Sequence, residues 1–279
     1  MGGRAQARVA LAGAHRRKRS TTCRTTRARQ GEVVSERVRK LDWAALEDEL
    51  NGFGAARIPA LLDAKECAAL REMYGGANGS TGNSDTTPTS ALFRSRIVMA
   101  RHGFGQGEYQ YFAYPLPPLV AGLREAFYAP LRQIAHRWHE AMGIDARYPP
   151  THRAYLAQCH AAGQRRPTPL LLRYEAGGYN CLHQDLYGDH VFPLQVAILL
   201  SQPGEDFTGG EFVLTEQRPR MQSRAEVVPL MRGDAVVFAV HHRPVNGTRG
   251  VYRVNMRHGV SRVRSGHRHT LGVILHDAT

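Results

Sequence analysis

The sequence predicts an α+β fold in which helices from the first half of the chain pack on an all-β second half. Apolar residues recur at helical spacing in residues 41–166, whereas residues 167–279 contain short β-type runs separated by turn signals. A chain of 279 residues with 42% hydrophobic residues is long enough to bury a core, which excludes a disordered or fibrous protein. We therefore expect one domain over residues 41–279, with a helical scaffold followed by a β core.

Residues 1–40 are predicted to be a disordered basic leader outside this domain. They contain 12 of the 37 Lys and Arg residues and 2 of the 24 Asp and Glu residues, hence +10 of the formal net charge of +13. The segment has no periodic apolar stripe, and its composition also resembles that of an organellar transit peptide. Because the remaining chain is nearly neutral, the total charge gives little support to a nucleic-acid role.

Two helices are predicted near the start of the domain. Trp43, Leu46 and Leu50 recur at helical spacing and indicate the first helix. Asp63 and Glu66 stand three residues apart, as in a capping box, and mark the start of the second. We expect both helices to serve as packing scaffold.

A loop and a long amphipathic helix are predicted next. Residues 75–90 are rich in Gly, Asn, Ser and Thr, which favours a mobile loop able to act as a lid. The helix should break or kink at Pro130, because proline has no backbone N–H to donate. Its apolar residues keep spacings of three and four: Val120, Leu123, Phe127, Leu131, Ile134 and Trp138.

The second half of the chain predicts a β-sandwich or barrel. Many short strands with Gly-rich turns between them are typical of these two architectures. The predicted strands cover residues 170–174, 192–200, 211–215, 235–240 and 270–275. The four cysteines form no C-x-x-C pair and no apolar run reaches the ~18 residues of a membrane span, so we expect a cytoplasmic protein without a membrane partner.

The tripeptide His183-Gln184-Asp185 is a candidate metal site. In an extended segment, residues two apart project from the same face, so this imidazole and this carboxylate are placed to bind one ion. The tripeptide alone is a weak signal, since a surface turn can contain the same residues. The turn at residues 177–178 and the strand signals on both sides favour the site.

A second group of polar residues near the C-terminus strengthens this hypothesis. Arg268 follows His258 by ten residues, with a turn at residues 265–266 between them, which predicts that Arg268 returns beside His258. Arg268, Thr270 and Gly272 should share the inward face of the last strand. Two imidazoles and one carboxylate are typical of non-haem Fe(II) sites, and a nearby buried arginine is suited to binding a carboxylate.

The chain from about residue 174 to residue 275 resembles the Fe(II)/2-oxoglutarate-dependent oxygenase superfamily, in particular the prolyl-4-hydroxylase-like branch and its bacterial relatives. The resemblance rests on the H-x-D tripeptide, the distal histidine and the arginine ten residues after it. It implies a double-stranded β-helix (jelly-roll) core. Residues 207–212 and 216–220 also resemble a bacterial subfamily described by oxidative repair of alkylated DNA.

The resemblance implies a role for six residues. It assigns three of them to Fe(II): His183, Asp185 and His258. Arg268 and Thr270 correspond to the family residues that bind the distal carboxylate of 2-oxoglutarate, and Tyr174 is expected to contact the same molecule. Dioxygen is the second cosubstrate. The resemblance implies no catalytic side chain beyond the metal ligands.

Other assignments stay open at this point. His241 and His242 compete with the distal histidine for the metal, and Tyr174 has packing as an alternative role. Tyr109, Tyr111 and Tyr114 are expected either to pack in the core or to line a substrate groove. Seven arginines are candidates for a basic rim around the site: Arg218, Arg220, Arg224, Arg243, Arg249, Arg253 and Arg257.

Three functions remain compatible with these residues. The first is a dioxygenase that hydroxylates a protein side chain or a small molecule, the second is oxidative dealkylation of damaged nucleic acid, and the third is a non-catalytic β-barrel binding module. The third is disfavoured because every implied ligand is present. The primary substrate is not identified by the sequence, which also carries no signal for an oligomeric state.

Overall fold

The computed structural model describes residues 31–75, 90–218 and 220–279. The helices in these ranges are α1 (residues 31–39), α2 (Trp43–Phe53), α3 (Ala64–Gly75), α4 (Pro118–Ala141) and α5 (His152–Ala161). The strands before α5 are β1 (Ala55–Ile58), β2 (Phe93–Val98), β3 (Gly105–Gln106) and β4 (Glu108–Phe112). The strands after α5 are β5 (Leu170–Tyr174), β6 (Tyr179–His183), β7 (Leu194–Leu199), β8 (Phe207–Gly209), β9 (Phe212–Gln217), β10 (Ser223–Val228), β11 (Ala235–Ala239), β12 (His242–Gly247), β13 (Gly250–Val260), β14 (Val263–Gly266) and β15 (Arg268–Val273).

Two antiparallel sheets form the centre of the molecule. The larger sheet has seven strands in the order β1-β11-β7-β15-β5-β4-β2. The smaller sheet has the order β10-β9-β13-β6-β3, with β12 also paired to β13. Strands β7 and β11 are buried along their whole length, as expected for the middle of a core sheet. The predicted α+β fold with a jelly-roll core is confirmed.

The helices pack largely as predicted. Asp63 accepts a hydrogen bond from the Glu66 amide at 2.8 Å, and the Glu66 carboxylate accepts one from the Asp63 amide at 2.9 Å, so the capping box that begins α3 is confirmed. The prediction of a break at Pro130 is wrong, because α4 is a helix of 24 residues that contains Pro130 without interruption. Tertiary packing along the buried face of α4 offsets the missing backbone donor.

The predicted disordered leader differs from the structure in its last ten residues. Residues 1–30 lie outside the described ranges, but residues 31–39 are helical, and Val34 and Val38 are buried in the main core. At spacing four, the two side chains lie on one face of α1. Gly31 and Gly122 let α1 approach α4 closely, since a Cβ atom on Gly122 would lie 2.7 Å from the Cα atom of Gly31.

The predicted division into a helical scaffold and a β core also needs correction. Residues 41–166 contribute strands β1, β2 and β4 to the seven-stranded sheet, so this region supplies part of the core as well as helices. The predicted lid loop, residues 75–90, falls almost entirely outside the described ranges. Within those ranges, no helix combines the length and apolar character that a membrane span requires.

A buried ion pair fastens the C-terminal segment to α4. Arg124 donates a hydrogen bond from Nη2 to Asp277 Oδ1 at 2.6 Å, and both side chains are buried. Arg124 Nε also donates to the carbonyl oxygen of Ile274 at 2.8 Å. These bonds fix the chain immediately after β15, the strand that contributes to the cavity described next.

Candidate active site

A cavity of about 390 Å³ lies between the two sheets. Leu172 and Thr270 from the larger sheet line one wall, and Phe212 and Val260 from the smaller sheet line the other. Most of the lining is apolar or aromatic. Among the described residues that line it, Asp185 provides the carboxylate and Arg268 the guanidinium. The cavity wall is therefore mostly apolar with a few polar groups, as in small-molecule sites generally.

Three predicted metal ligands meet at this cavity. His183 ends β6 and is the direct cross-strand partner of His258 in β13, while Asp185 follows just beyond the end of β6. Asp185 Oδ1 lies 3.5 Å from His183 Nε2, and Asp185 Oδ2 lies 3.4 Å from His258 Nε2. One potential ligand atom from each residue lies within 4.8 Å of the others. The strand register thus joins residues that are far apart in the sequence.

The surroundings fix the chemical state of these groups. His183 Nδ1 lies 2.8 Å from the carbonyl oxygen of Cys181, which makes Nδ1 the donor and leaves the Nε2 lone pair facing the cavity. Burial would raise the pKa of Asp185, but hydrogen bonds and charge from both imidazoles lower it well below its usual range. Burial lowers the pKa of His258. Although burial opposes it, the hydrogen bond and charge of Asp185 raise the pKa of His183. The site therefore favours an ionised carboxylate and a neutral His258, while a proton competes with a metal ion at His183.

Arg268 is a buried cation without a carboxylate partner in the described ranges. Its side chain is 1% exposed, and Nη1 donates a hydrogen bond to Thr270 Oγ1 at 2.6 Å. Its Nε–H makes no hydrogen bond to any residue that the structure describes. Burial lowers the pKa of Arg268 to about 10. A buried guanidinium without a negative partner is costly, so its place in the cavity wall favours an anionic ligand there.

The route by which Arg268 reaches the cavity differs from the prediction. Arg268 does not return beside His258 in a hairpin, because β14 pairs with β8 and the chain then crosses to the larger sheet. There Arg268 is the cross-strand partner of Tyr174, and its guanidinium carbon lies 5.6 Å from the centre of that ring. The imidazoles and the guanidinium therefore face one cavity from opposite sheets. Gly272 lines the same cavity, as the shared inward face of β15 requires.

The open alternatives are placed as follows. His241 and His242 contact each other with ring centres 4.0 Å apart and ring planes tilted by 46°, and they do not line the cavity. Tyr109 and Tyr111 do line it, in agreement with the groove alternative, whereas Tyr114 does not and donates a hydrogen bond to Asp277 Oδ2 at 2.8 Å. None of the described arginines of the expected basic rim lines it, and Arg243 is buried against Glu216 instead.

Sequence reasoning missed Tyr187 and the hydrogen bond that Tyr111 makes to it. Tyr187 donates a hydrogen bond to Asp185 Oδ1 at 2.6 Å, and Tyr111 donates one to the Tyr187 hydroxyl at 3.2 Å. The first had a local signal, because Tyr187 stands two residues after Asp185, as His183 stands two before it. The tyrosine cluster indicated a possible groove position for Tyr111 but not this bond, since Tyr111 precedes Asp185 by 74 residues and reaches the site only through the sheet.

Two antiparallel sheets enclose the His-Asp-His group, and a family match shows that the protein is an oxygenase. A family profile described as "Oxygenase, catalysing oxidative methylation of damaged DNA" matches residues 107–278. The chain belongs to that family. The match covers β4 through β15, and therefore includes the three candidate metal ligands and Arg268.

Related proteins and structures were found as well. Two Mycobacterium tuberculosis proteins, from strains CDC 1551 / Oshkosh and H37Rv and named only as uncharacterized, are each 48% identical over 167 residues, which is 60% of this chain and 72% of theirs. Among solved structures, a Pseudomonas putida prolyl-4-hydroxylase is 16% identical with a TM-score of 0.45, covering 82% of this chain and 96% of that one. A 2OG-Fe(II) oxygenase family oxidoreductase from Burkholderia pseudomallei is 16% identical with a TM-score of 0.48, covering 86% and 94%.

Proposed function

We propose that this oxygenase hydroxylates a carbon atom in an uncharged group of a protein side chain or a small molecule, and that this group enters the cavity. In this proposal His183, Asp185 and His258 hold Fe(II). Arg268 and Thr270, beside Tyr174, hold the distal carboxylate of 2-oxoglutarate. The observation that carries the proposal is the buried guanidinium of Arg268, which faces the His-Asp-His group across one cavity and lacks a carboxylate partner in the described ranges.

The side chains present fit these two groups. Two imidazoles and one carboxylate match the ligand preference of non-haem Fe(II), and their ligand atoms already lie close together. The unpaired Nε–H of Arg268 and its neighbouring hydroxyl on Thr270 offer donors to a carboxylate. 2-Oxoglutarate is a dicarboxylate with a keto group, so it can meet the metal with one end and Arg268 with the other.

The chain's own residues prepare the reaction. Bound Fe(II) supplies the activation of dioxygen, coupled to oxidation of 2-oxoglutarate to succinate and carbon dioxide. The hydrogen bond from His183 to the Cys181 carbonyl fixes the orientation of one ligand. The apolar wall, with Leu172 and Phe212, excludes water and leaves room for an uncharged substrate group. The protein thus contributes geometry, charge and a dry environment.

Oxidative dealkylation of damaged nucleic acid is the second candidate. The family description supports it, because that description refers to damaged DNA. A structural observation also favours it: Phe104 lines the cavity, is exposed, and stacks on His102 with ring centres 5.3 Å apart. Such an exposed aromatic pair offers a face for a flat base. Against it, none of the described rim arginines lies at the cavity.

Oxygen-dependent conversion of 2-oxoglutarate to succinate tests the shared chemistry. The wild-type protein, loaded anaerobically with Fe(II) and 2-oxoglutarate, should release succinate after oxygen is admitted. His183→Ala and Asp185→Ala should lower the rate by at least about 100-fold, because each removes a ligand. Arg257→Ala, an exposed residue next to His258, is the control and should retain the wild-type rate. Equal succinate release by all four proteins would refute the proposal.

A substrate screen separates the two candidates. Peptide and metabolite pools and alkylated single-stranded DNA are incubated with the loaded enzyme, and mass spectrometry detects one added oxygen or one lost alkyl group. Oxidation confined to a peptide or metabolite supports the hydroxylase. Dealkylation of the DNA alone would overturn it in favour of the nucleic-acid candidate.

A further inference from the structure

The two oxygens of Asp185 have different surroundings. Oδ1 accepts the 2.6 Å hydrogen bond from the Tyr187 hydroxyl and lies 3.5 Å from His183 Nε2, whereas Oδ2 lies 3.4 Å from His258 Nε2 and has no hydroxyl donor among the described residues. A hydroxyl that donates to an ionised carboxylate makes a strong, directional bond. One oxygen is therefore committed to the protein and the other is available to a ligand in the cavity.

Tyr187 is itself held in the donating orientation. The Tyr111 hydroxyl donates to the Tyr187 oxygen at 3.2 Å, which occupies an acceptor position and leaves the Tyr187 proton for Asp185. Tyr111 is buried in β4, and the guanidinium carbon of Arg94 lies 4.3 Å from the centre of its ring. The hydroxyl chain thus runs from the seven-stranded sheet to the carboxylate in one direction.

The backbone around Tyr187 is fixed as well. Gln164 is a buried residue after α5. Its side-chain nitrogen Nε2 donates hydrogen bonds to the backbone carbonyl oxygens of Tyr187 at 2.8 Å and His190 at 3.1 Å. Gln164 Oε1 accepts from the His190 amide at 2.7 Å. Gly188 has a φ of +99°, and a Cβ atom there would lie 2.5 Å from the Gln164 amide carbon. Side chain and backbone of Tyr187 are therefore held by separate parts of the fold.

We propose that Tyr187, oriented by Tyr111, is a positioning residue that keeps Asp185 a one-oxygen ligand of the metal. This inference rests on the proposed function, in which Asp185 binds Fe(II). A carboxylate that bound through both oxygens would occupy an extra coordination position. The chemistry needs three open positions, two for 2-oxoglutarate and one for dioxygen. The hydrogen bond to Oδ1 keeps the extra position free for the cosubstrates.

Cobalt(II) binding tests this role without turnover. Tyr187→Phe removes the hydroxyl but retains the ring, and should weaken Co(II) binding by about 10- to 100-fold. It should also change the visible absorption spectrum of the Co(II) protein, because the coordination number of the metal changes. Binding of 2-oxoglutarate to the Co(II) protein should weaken in parallel. Tyr111→Phe should produce smaller changes in the same direction.

Tyr128→Phe is the matched control, because the Tyr128 hydroxyl donates to the Pro149 carbonyl away from the cavity. It should alter the melting temperature of the apoprotein at most, and leave the Co(II) affinity and spectrum unchanged. If Tyr187→Phe behaves like this control while Asp185→Ala loses Co(II) binding, the role of Tyr187 is overturned and the metal centre stands. If Asp185→Ala binds Co(II) like the wild type, the proposed function itself fails.

Discussion

Arg268 shows how a single residue can reduce stability and serve a ligand. Its buried guanidinium has lost water and gained one hydroxyl, and burial lowers its pKa to about 10. Because a buried charge without an opposite charge is unfavourable, a neutral side chain of similar length should fit the apoprotein at least as well. The proposed 2-oxoglutarate site then explains why the charge is there.

We predict that Arg268→Met raises the melting temperature of the apoprotein or leaves it unchanged, and weakens 2-oxoglutarate binding to the Co(II) protein by about 10- to 100-fold. The loss corresponds to about 1.5–3 kcal/mol for hydrogen bonds to a charged group. Thermal unfolding and calorimetric titration measure the two effects. Arg257→Met, at an exposed position, should leave both quantities unchanged. A less stable apoprotein with wild-type ligand affinity would contradict the assignment.

At the scale of elements, local signals predicted much of the fold. Asp63 and Glu66 predicted the start of α3, and the predicted strand over residues 170–174 coincides with β5. Strand β2 was missed because its pairing with β4, rather than an alternating apolar pattern, defines it; β4 was missed although Tyr109 and Tyr111 alternate with polar residues. Helix α1 was missed because charged residues surround its two buried valines. Contacts with distant parts of the chain decide all three.

Two neighbouring valines in helix α1, one exposed and one buried, allow a test of how this helix contributes to stability. Val34→Ala should lower the free energy of unfolding by about 2 kcal/mol, because Val34 is completely buried and the lost methyl groups leave a cavity. Val33→Ala, at the neighbouring position that is 48% exposed, should change it by less than about 0.5 kcal/mol. Urea unfolding of the two variants measures the difference. Equal effects would show that α1 does not pack on the core as described.

At the scale of the whole molecule, the site joins residues from both sheets. The H-x-D tripeptide and the spacing from His258 to Arg268 could be recognised in the sequence as parts of a site, because both are short patterns. The sequence did not predict that Arg268 faces the imidazoles from the opposite sheet, or that Tyr111 and Gln164 support the segment after Asp185. Those relations depend on the strand order β15-β5-β4 and on the position of α5.

Two buried histidines, His152 and His276, should make the stability of the protein sensitive to acid. Burial lowers the pKa of His152 to about 3 and that of His276 to about 4. In the unfolded chain both histidines titrate near pH ~6.5. As the pH falls below that value the unfolded chain binds protons first, so each histidine's contribution to stability is complete above pH ~6.5 and declines toward its folded pKa.

We predict that His152→Gln flattens this pH dependence. In the wild-type protein, His152 Nε2 lies 2.8 Å from the Leu275 carbonyl oxygen. A glutamine side-chain amide can donate the same hydrogen bond without titrating. The slope of unfolding free energy against pH between 6 and 4 should decrease by about 1.4 kcal/mol per pH unit, which is the contribution of one proton. Urea unfolding at several pH values measures it. His267→Gln, at an exposed histidine, should leave the slope unchanged, and an equally steep slope in His152→Gln would show that this histidine is not buried in its neutral form.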